Sequence, residues 1–322
     1  MRAIRFEKTG GPEVLQLAEV ETPEPGPGQV RVRHEAVGIN FIDTYHRTGL
    51  YPAKLPCTPG GEAAGIVEAV GEGVSRFGVG DRVAYSGGFG AYAEANVVRA
   101  DRTVKVPDGV DSRTAAAALL KGMTVEALLN RTYRVSGGET ILVHAAAGGV
   151  GQIMTQWAKA LGATAIATVG SDAKAARARE LGADHVILYR EQDVAEEVRR
   201  VTGGRGVPVA YDSVGKDTFE GTLKSLARRG LFVSFGNASG APDPVPPGRL
   251  AQAGSLYLTR PTLFDYITTT EELDASAAAV FEMIRSGKIR IEIGQTYPLA
   301  EARRAHEALE SRATIGASLL IP

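Results

Sequence analysis

The stretch Ile141-Leu-Val-His-Ala-Ala-Ala-Gly-Gly-Val-Gly151 constrains the fold of this chain more than any other. A short apolar run feeds straight into small residues, and a helix is predicted from Val150. Gly148 and Gly149 permit a tight turn and let bare backbone approach a bound group, while Gly151 permits close helix–strand packing. The spacing, Ala-x-x-Gly-x-x-Gly from Ala145 to Gly151, is a variant of Gly-x-Gly-x-x-Gly. The free amides and positive dipole end of the following helix suit a pyrophosphate. A glycine-rich turn also arises for packing reasons alone, so its surroundings decide what it means.

Those surroundings are βαβ units. Predicted strands over 140–144, 165–169, 186–188, 207–211, 231–235 and 256–258 are interleaved with predicted helices over 150–161, 173–181 and 194–201. Short apolar runs separated by amphipathic helices mark a parallel sheet covered on both faces. Residues 1–110 have a different texture, with short alternating runs such as Gln29-Val-Arg-Val-Arg-His-Glu35 between Gly/Pro turns. Asp111 is a predicted N-cap for an alanine-rich helix, and a second helix is predicted over 124–133. Helices over 271–286 and 299–311 and a strand over 317–321 close the chain. The expected architecture is α/β, with a doubly wound Rossmann sheet (residues 123–260) inserted in a β-rich domain made of 1–122 and 261–322.

The 322 residues exceed what one hydrophobic core usually organises, which agrees with two domains. Lys plus Arg number 36 against 37 Asp plus Glu, so no bulk charge attracts nucleic acid or an anionic membrane. Cys57 is the only cysteine, which excludes an internal disulfide and a thiolate metal cage. The N-terminus shows no signal-peptide pattern, and the richest apolar stretch is interrupted by Lys121 and Glu126. These features predict a soluble cytoplasmic protein with no membrane span and no nucleic-acid partner.

The end of the second Rossmann strand speaks to which dinucleotide is bound. An acidic residue there contacts the ribose hydroxyls of NAD; here the strand ends in Val169, Gly170 and Ser171, with Lys174 and Arg177 following. A hydroxyl and a lysine attract a 2′-phosphate, so NADPH is the expected cofactor. Asp172 is the competing feature, read here as a helix N-cap.

His144-Ala-Ala-Ala-Gly-Gly-Val-Gly151, Gln156-Trp-Ala-Lys-Ala-Leu-Gly162, Gly38-Ile-Asn-Phe-Ile-Asp-Thr-Tyr45, Tyr211-Asp-Ser-Val-Gly215 and Val233-Ser-Phe-Gly-Asn237 occur in this order. With Gly10-Gly-Pro-Glu-Val-Leu15, Thr259-Arg-Pro261 and Glu310-Ser-Arg-Ala-Thr314, the chain resembles, along essentially its whole length, the zinc-independent quinone oxidoreductases of the medium-chain dehydrogenase/reductase superfamily. The resemblance implies a GroES-like (chaperonin-10-like) catalytic domain split around the Rossmann domain, and a homodimer. Zinc alcohol dehydrogenases of that superfamily carry a cysteine where this chain has Asn40, and Gly-His-Glu where it reads Gly60-Gly61-Glu62. No bound metal is therefore expected. The five histidines form no ligand spacing and read as surface or packing residues.

The resemblance also implies roles. Asn40 and Tyr45 serve the nicotinamide end, Tyr51 stacks on the acceptor, and Thr124 and Arg260 are donors toward cofactor or substrate. Gly148, Gly149 and Val150 cradle the pyrophosphate. Gly170, Ser171, Lys174 and Tyr189 surround the 2′-phosphate, and Ser213, Phe235, Gly236 and Arg312 supply further cofactor contacts. The expected reaction is hydride transfer from NADPH to a small quinone. Reduction of an activated C=C bond in an enal or enone is the alternative, and a non-catalytic RNA-binding or crystallin-like role a more distant one.

Overall fold

The computed structural model describes residues 1–312 and 314–322, and the chain forms two compact units, Met1–Met123 with Ile267–Pro322, and Thr124–Tyr266. The first unit begins with β1 (Arg2–Arg5), β2 (Gln16–Glu19), β3 (Gln29–Ile39), α1 (Phe41–Thr48), β4 (Glu62–Val70), β5 (Arg82–Ser86), β6 (Ala95–Arg99) and β7 (Thr103–Lys105). Then α2 (Ser112–Glu126) leads out of it. Asp111 caps α2, its carboxylate accepting the Thr114 N–H at 2.7 Å. No second helix starts at 124. Instead α2 runs on into a π-helical turn, Ala127–Thr132, since nothing between Gly122 and Leu129 breaks the helix. Gly122 is there for packing: a Cβ would lie 2.5 Å from a Val280 methyl.

The second unit contains β8 (Thr140–Val143), α3 (Gly149–Ala160), β9 (Thr164–Val169), α4 (Asp172–Glu180), β10 (His185–Leu188), α5 (Val194–Val201), β11 (Val207–Asp212), α6 (Phe219–Ser225), β12 (Leu226–Ser234), α7 (Pro247–Gln252) and β13 (Tyr257–Thr259). All six strands run parallel in the order β10-β9-β8-β11-β12-β13. The winding reverses between β8 and β11, which opens a crevice beyond their C-terminal ends. Phe219 of α6 packs on Phe232 of β12, ring centroids 5.0 Å apart, within a core of Leu142, Ile166, Ile187, Val198 and Leu223. Helices α6 and α7 escape sequence reading because each is too short to show periodicity. Asp172 is the first helical residue of α4; the N-cap is Ser171, whose extended backbone starts the helix one residue earlier than expected. Residues 261–266 stay with this unit, where the Thr132 hydroxyl donates to Tyr266 Oη at 2.9 Å and Arg131 lies over the Tyr266 ring.

The chain re-enters the first unit with α8 (Thr270–Arg285), β14 (Ile293–Pro298), α9 (Ala302–Glu310) and β15 (Ala317–Ile321). Strand β15 pairs antiparallel with β3, Ser318 opposite Ile39 and Leu320 opposite Val37. That ladder makes the Rossmann unit an insertion. The larger sheet of the first unit runs β14-β15-β3-β4-β5-β7, with β6 also on β3. Among the described residues no helix is long and apolar enough to cross a membrane.

His34 of β3 is buried, its Nδ1 donating to the Ala93 carbonyl at 2.7 Å and its Nε2 accepting from the Tyr85 hydroxyl at 2.9 Å. Burial, offset in part by the Ala93 bond, lowers its pKa to about 4. Between pH 6.5 and 4 the unfolded chain binds a proton that the folded chain refuses. The stability of the neutral state is thus present above pH 6.5 and lost as pH falls, at about 1.4 kcal/mol per pH unit. Urea unfolding from pH 7.5 to 5 should show His34→Gln less stable at the upper end but shallower in its acid slope by about that amount. An unchanged slope would place the acid sensitivity on other groups.

Candidate active site

At the end of β8 the chain makes the glycine turn singled out in the sequence. Ala145 adopts φ 52°, a left-handed conformation that costs a residue with a Cβ about 1 kcal/mol. The Gly148 N–H donates to the Ala145 carbonyl at 2.9 Å, Gln152 Nε2 donates to the Ala147 carbonyl at 3.0 Å, and Gly148 stands as the N-cap of α3. A Cβ on Gly151 would run into the Ala145 carbonyl and the Ala146 Cα, so only glycine lets α3 sit this close to the strand end. The first amides of α3, Gly149 and Val150 among them, lack intrahelical acceptors and point outward with the helix dipole. Such a cradle fits a diphosphate.

The other predicted residues of this unit gather at the same edge of the sheet. Gly170 and Ser171 follow β9, and half-buried Lys174 lies in the first turn of α4. Tyr189 follows β10, its N–H bonded to the Val169 carbonyl at 3.2 Å. A Cβ on Gly170 would lie 2.5 Å from the Tyr189 hydroxyl and 3.4 Å from Arg190 Nε. The missing side chain therefore lets a hydroxyl and a guanidinium converge at the strand end. Arg190 was not predicted; its signal was a basic residue beside Tyr189 at a strand end. Ser213 follows β11 and Phe235-Gly236 follows β12, with Gly236 so close to the Ser213 backbone that no side chain would fit. Arg260, just beyond β13, donates to the Ser234 carbonyl at 3.0 Å. Arg177 is turned to Glu180 at 2.9 Å. Thr124 lies on α2, half-buried.

Beneath that edge lies a buried polar network that sequence reading missed. Asp212 Oδ1 accepts the N–H groups of Val214 and Gly215, and Oδ2 accepts the hydroxyls of Thr218 and Thr222. Thr222 also meets His144 Nε2 at 2.9 Å, and His144 Nδ1 meets the Thr168 hydroxyl at 3.0 Å. Desolvation lowers the pKa of His144, with the Asp212 charge opposing, so a neutral imidazole ties the ends of β8, β9 and β11 together.

In the first unit Asn40 is the buried N-cap of α1. Its Nδ2 donates to Glu62 Oε2 at 2.8 Å, and the same oxygen accepts Lys121 Nζ at 3.0 Å. Glu62 Oε1 accepts the Leu120 N–H at 2.7 Å. The Asn40 N–H donates to Asp43 Oδ2 at 2.8 Å, which also accepts the Tyr92 hydroxyl at 3.0 Å. Tyr92 meets His306 Nε2 at 2.9 Å, and Arg47, a donor only, meets His306 Nδ1 at 3.1 Å, so the ring proton sits on Nε2. Arg47 also forms a two-pronged pair with Glu310, at 2.6 and 3.0 Å. Burial is the main cause that raises the Asp43 pKa to about 7 and lowers that of His306 to about 3. Glu62 was visible in Gly60-Gly61-Glu62, and Lys121 as a charge interrupting the apolar run of an alanine-rich helix. Their pairing was not.

Tyr45 of α1 and Tyr51 meet edge to face, centroids 5.3 Å apart, and His46 packs on both Tyr51 and Phe89. The half-exposed aromatic wall so formed suits a flat apolar molecule. Arg312, also of this unit, is exposed in the left-handed turn after α9 at φ 58°. Among the described residues no group of three or more His, Cys, Asp and Glu side chains is placed to hold a metal ion.

Residues 26–108 match the family model of the alcohol dehydrogenase GroES-like domain, and residues 149–282 match that of the zinc-binding dehydrogenases. A quinone oxidoreductase of Pseudomonas aeruginosa is 54% identical over 100% of this chain and 99% of its own length. The structure of Escherichia coli quinone oxidoreductase complexed with NADPH superposes with a TM-score of 0.98 at 52% identity, covering 100% of both chains. The chain belongs to the quinone oxidoreductases of the medium-chain dehydrogenase/reductase superfamily. A 2-haloacrylate reductase of Burkholderia is similar too, 44% identical over 98% of this chain and 97% of the relative. The family membership extends over both units and over the glycine turn that joins β8 to α3.

Gly151→Ala should separate the packing role of that turn from the rest of the fold. Calorimetric titration with a dinucleotide is expected to show binding weakened more than about 10-fold, with about 1–3 kcal/mol of overpacking cost in unfolding. Wild-type affinity in that variant would mean the amides of α3 do not hold the diphosphate.

Proposed function

We propose that this chain catalyses hydride transfer from NADPH to small quinones without a bound zinc ion. The observation that carries the reading is the state of Glu62. Within a dehydrogenase fold its carboxylate is committed to Asn40, Leu120 and Lys121, beside an amide at position 40 and no side chain at Gly61. Neither thiolate nor imidazole is offered there, and an ammonium already balances the carboxylate, so the residues do not suit zinc. A simple ketone would demand a metal or a strong acid for the charge that builds on its oxygen. A quinone spreads that charge along a conjugated ring, and hydrogen-bond donors suffice.

NADPH, when bound, supplies hydride from C4 of its nicotinamide. The amides of Gly149 and Val150, with Gly148, hold the diphosphate. Lys174, Tyr189, Ser171 and Arg190 bind the 2′-phosphate beside Gly170. Ser213, Phe235, Gly236 and Arg312 complete the dinucleotide contacts. Asn40 and Tyr45 orient the nicotinamide end, Tyr51 stacks on the acceptor ring, and Thr124 and Arg260 donate hydrogen bonds toward cofactor or substrate. The same chemistry fits an activated C=C bond, a second reading that the relationship to the haloacrylate reductase favours.

The chain acts as a cytoplasmic homodimer that does not bind nucleic acid, supported by its near-zero net charge and by the exposed edge strand β13, where Tyr257 is 61% exposed. Sedimentation showing a monomer at all concentrations would reject the dimer.

Loss of NADPH absorbance with naphthoquinone, benzoquinone and short enones ranks the two reactions. The quinones are expected to give the higher kcat/KM; enones more than about 10-fold better would assign the chain to C=C reduction. NADPH should be preferred over NADH, and Lys174→Ala and Arg190→Ala should each erode that preference by about 10-fold, as loss of a charge-assisted bond to phosphate does. An unchanged preference in both would place the determinant elsewhere.

A further inference from the structure

Glu62 is wholly buried and Lys121 is 6% exposed. Burying two charges costs several kcal/mol per ion, and apolar residues of similar volume often serve a core as well or better. A pair kept in spite of that cost calls for a role beyond stability. The surroundings of Glu62 show one. Strand β3 presents Gly38, where any Cβ would strike Glu62 Oε2 and the Ala116 carbonyl, so α2 and β3 close on the carboxylate from two sides. The Leu120 N–H fixes Oε1, which leaves Oε2 for Asn40 Nδ2 and Lys121 Nζ. A planar amide whose NH2 end is claimed in this way presents its carbonyl end in the opposite direction.

We propose that Glu62 and Lys121 are positioning residues: the carboxylate holds the Asn40 amide in one orientation, its NH2 end on Glu62 and its carbonyl end toward the capping box of α1, and the ammonium balances the carboxylate so that it acts only as an acceptor. This rests on the reading that Asn40 serves the nicotinamide end. The chemistry behind it is a matter of polarity. A carboxylate can only accept, so it selects the NH2 end of the amide. A buried carboxyl without a counter-charge takes up a proton, and a carboxylic acid can donate to Oδ1 and turn the amide over. The ammonium of Lys121 thereby guards the orientation of Asn40 through the carboxylate oxygen that the two share. The other titratable groups that act on Glu62 are Asp43 of α1 and the Tyr92 hydroxyl, while β5 presents Ser86 beside it. Arg47 acts in turn on Tyr92.

The test uses the full chain with NADPH and 1,4-naphthoquinone. Lys121→Met, similar in volume but uncharged, is expected to lower kcat about 10- to 100-fold, the scale of a displaced reacting group. The KM for NADPH should stay within about two-fold, because the diphosphate and 2′-phosphate are bound elsewhere. The kcat of Lys121→Met should fall further, relative to wild type, from pH 8 to pH 6, and Lys121→Arg should restore both rate and profile. Asp43 titrates in wild type as well, so the comparison is read as a ratio of the two profiles. The double variant Glu62→Gln, Lys121→Met carries neither charge of the pair; it should fold, remain slow and lose the extra acid dependence, and it carries the kinetic test if the single variant does not fold.

A readout independent of turnover is the Asn40 side-chain NH2 pair in an asparagine-labelled 15N spectrum. It should be protected from solvent exchange in wild type and lose that protection, with a shifted resonance, in Lys121→Met or in the double variant. An unchanged NH2 signal, or a kcat and pH profile within two-fold of wild type, overturns the positioning role. A raised KM for NADPH at constant kcat does so too. A wild-type chain that oxidises no NADPH with any quinone or enone defeats the reading of function, while the NH2 signal still decides the inference.

Discussion

The contact between the first turn of α3 and the end of β8 is the constraint on which the nucleotide unit depends. The helix has to approach the strand closely enough for its leading amides to stand at the sheet edge. Gly151 leaves room for that approach, and Ala145 accepts a left-handed backbone to redirect the chain. The strain at Ala145 is small beside what the turn gains, since the Gly148 N–H and the Gln152 side chain both bond back into it. Once that geometry is set, the parallel order of the six strands brings the ends of β8, β9, β11 and β12 to one edge. The candidate groups of this unit assemble there with no further device.

Each unit also holds a buried polar network near its candidate residues, and the two networks differ in kind. In the Rossmann unit, Asp212, Thr218, Thr222, His144 and Thr168 join the strand ends through a neutral imidazole and one carboxylate with four donors. In the GroES-like unit the network is dense in ionisable groups, with Glu62, Lys121, Asp43, Arg47 and a neutral His306 all buried. Charges in such a place hold only when every partner is present. The unit meets that demand by drawing partners from far along the chain: Glu62 bonds residues 40, 120 and 121, and Arg47 bonds Glu310. The ladder between β15 and β3 and the seat of α9 against α1 are therefore tied to the order around Asn40.

Part of this was legible in the residues. The glycine turn, the alternation after residue 140, and the insertion of one unit in another follow from local pattern, because small residues, apolar runs and caps act within a few positions of themselves. Helix boundaries came within one or two residues where a cap was present, as at Asp111. They failed where the signal was ambiguous, as at Asp172, which reads equally well as a cap or as a first-turn acid. Short helices such as α6 and α7 left no trace.

The sequence by itself determined the fold class, the place of the glycine turn between β8 and α3, and the lack of a thiolate and an imidazole at positions 40 and 61. Each depends on residue type or near spacing, and no distant contact can restore a missing side chain. Only the tertiary structure decided which charges pair. Lys121 lies 59 positions from Glu62, and Arg47 lies 259 from His306. A buried ion has no periodicity to betray its partner, so which lysine neutralises which carboxylate, and which tautomer a histidine adopts, is fixed when the sheets close around them.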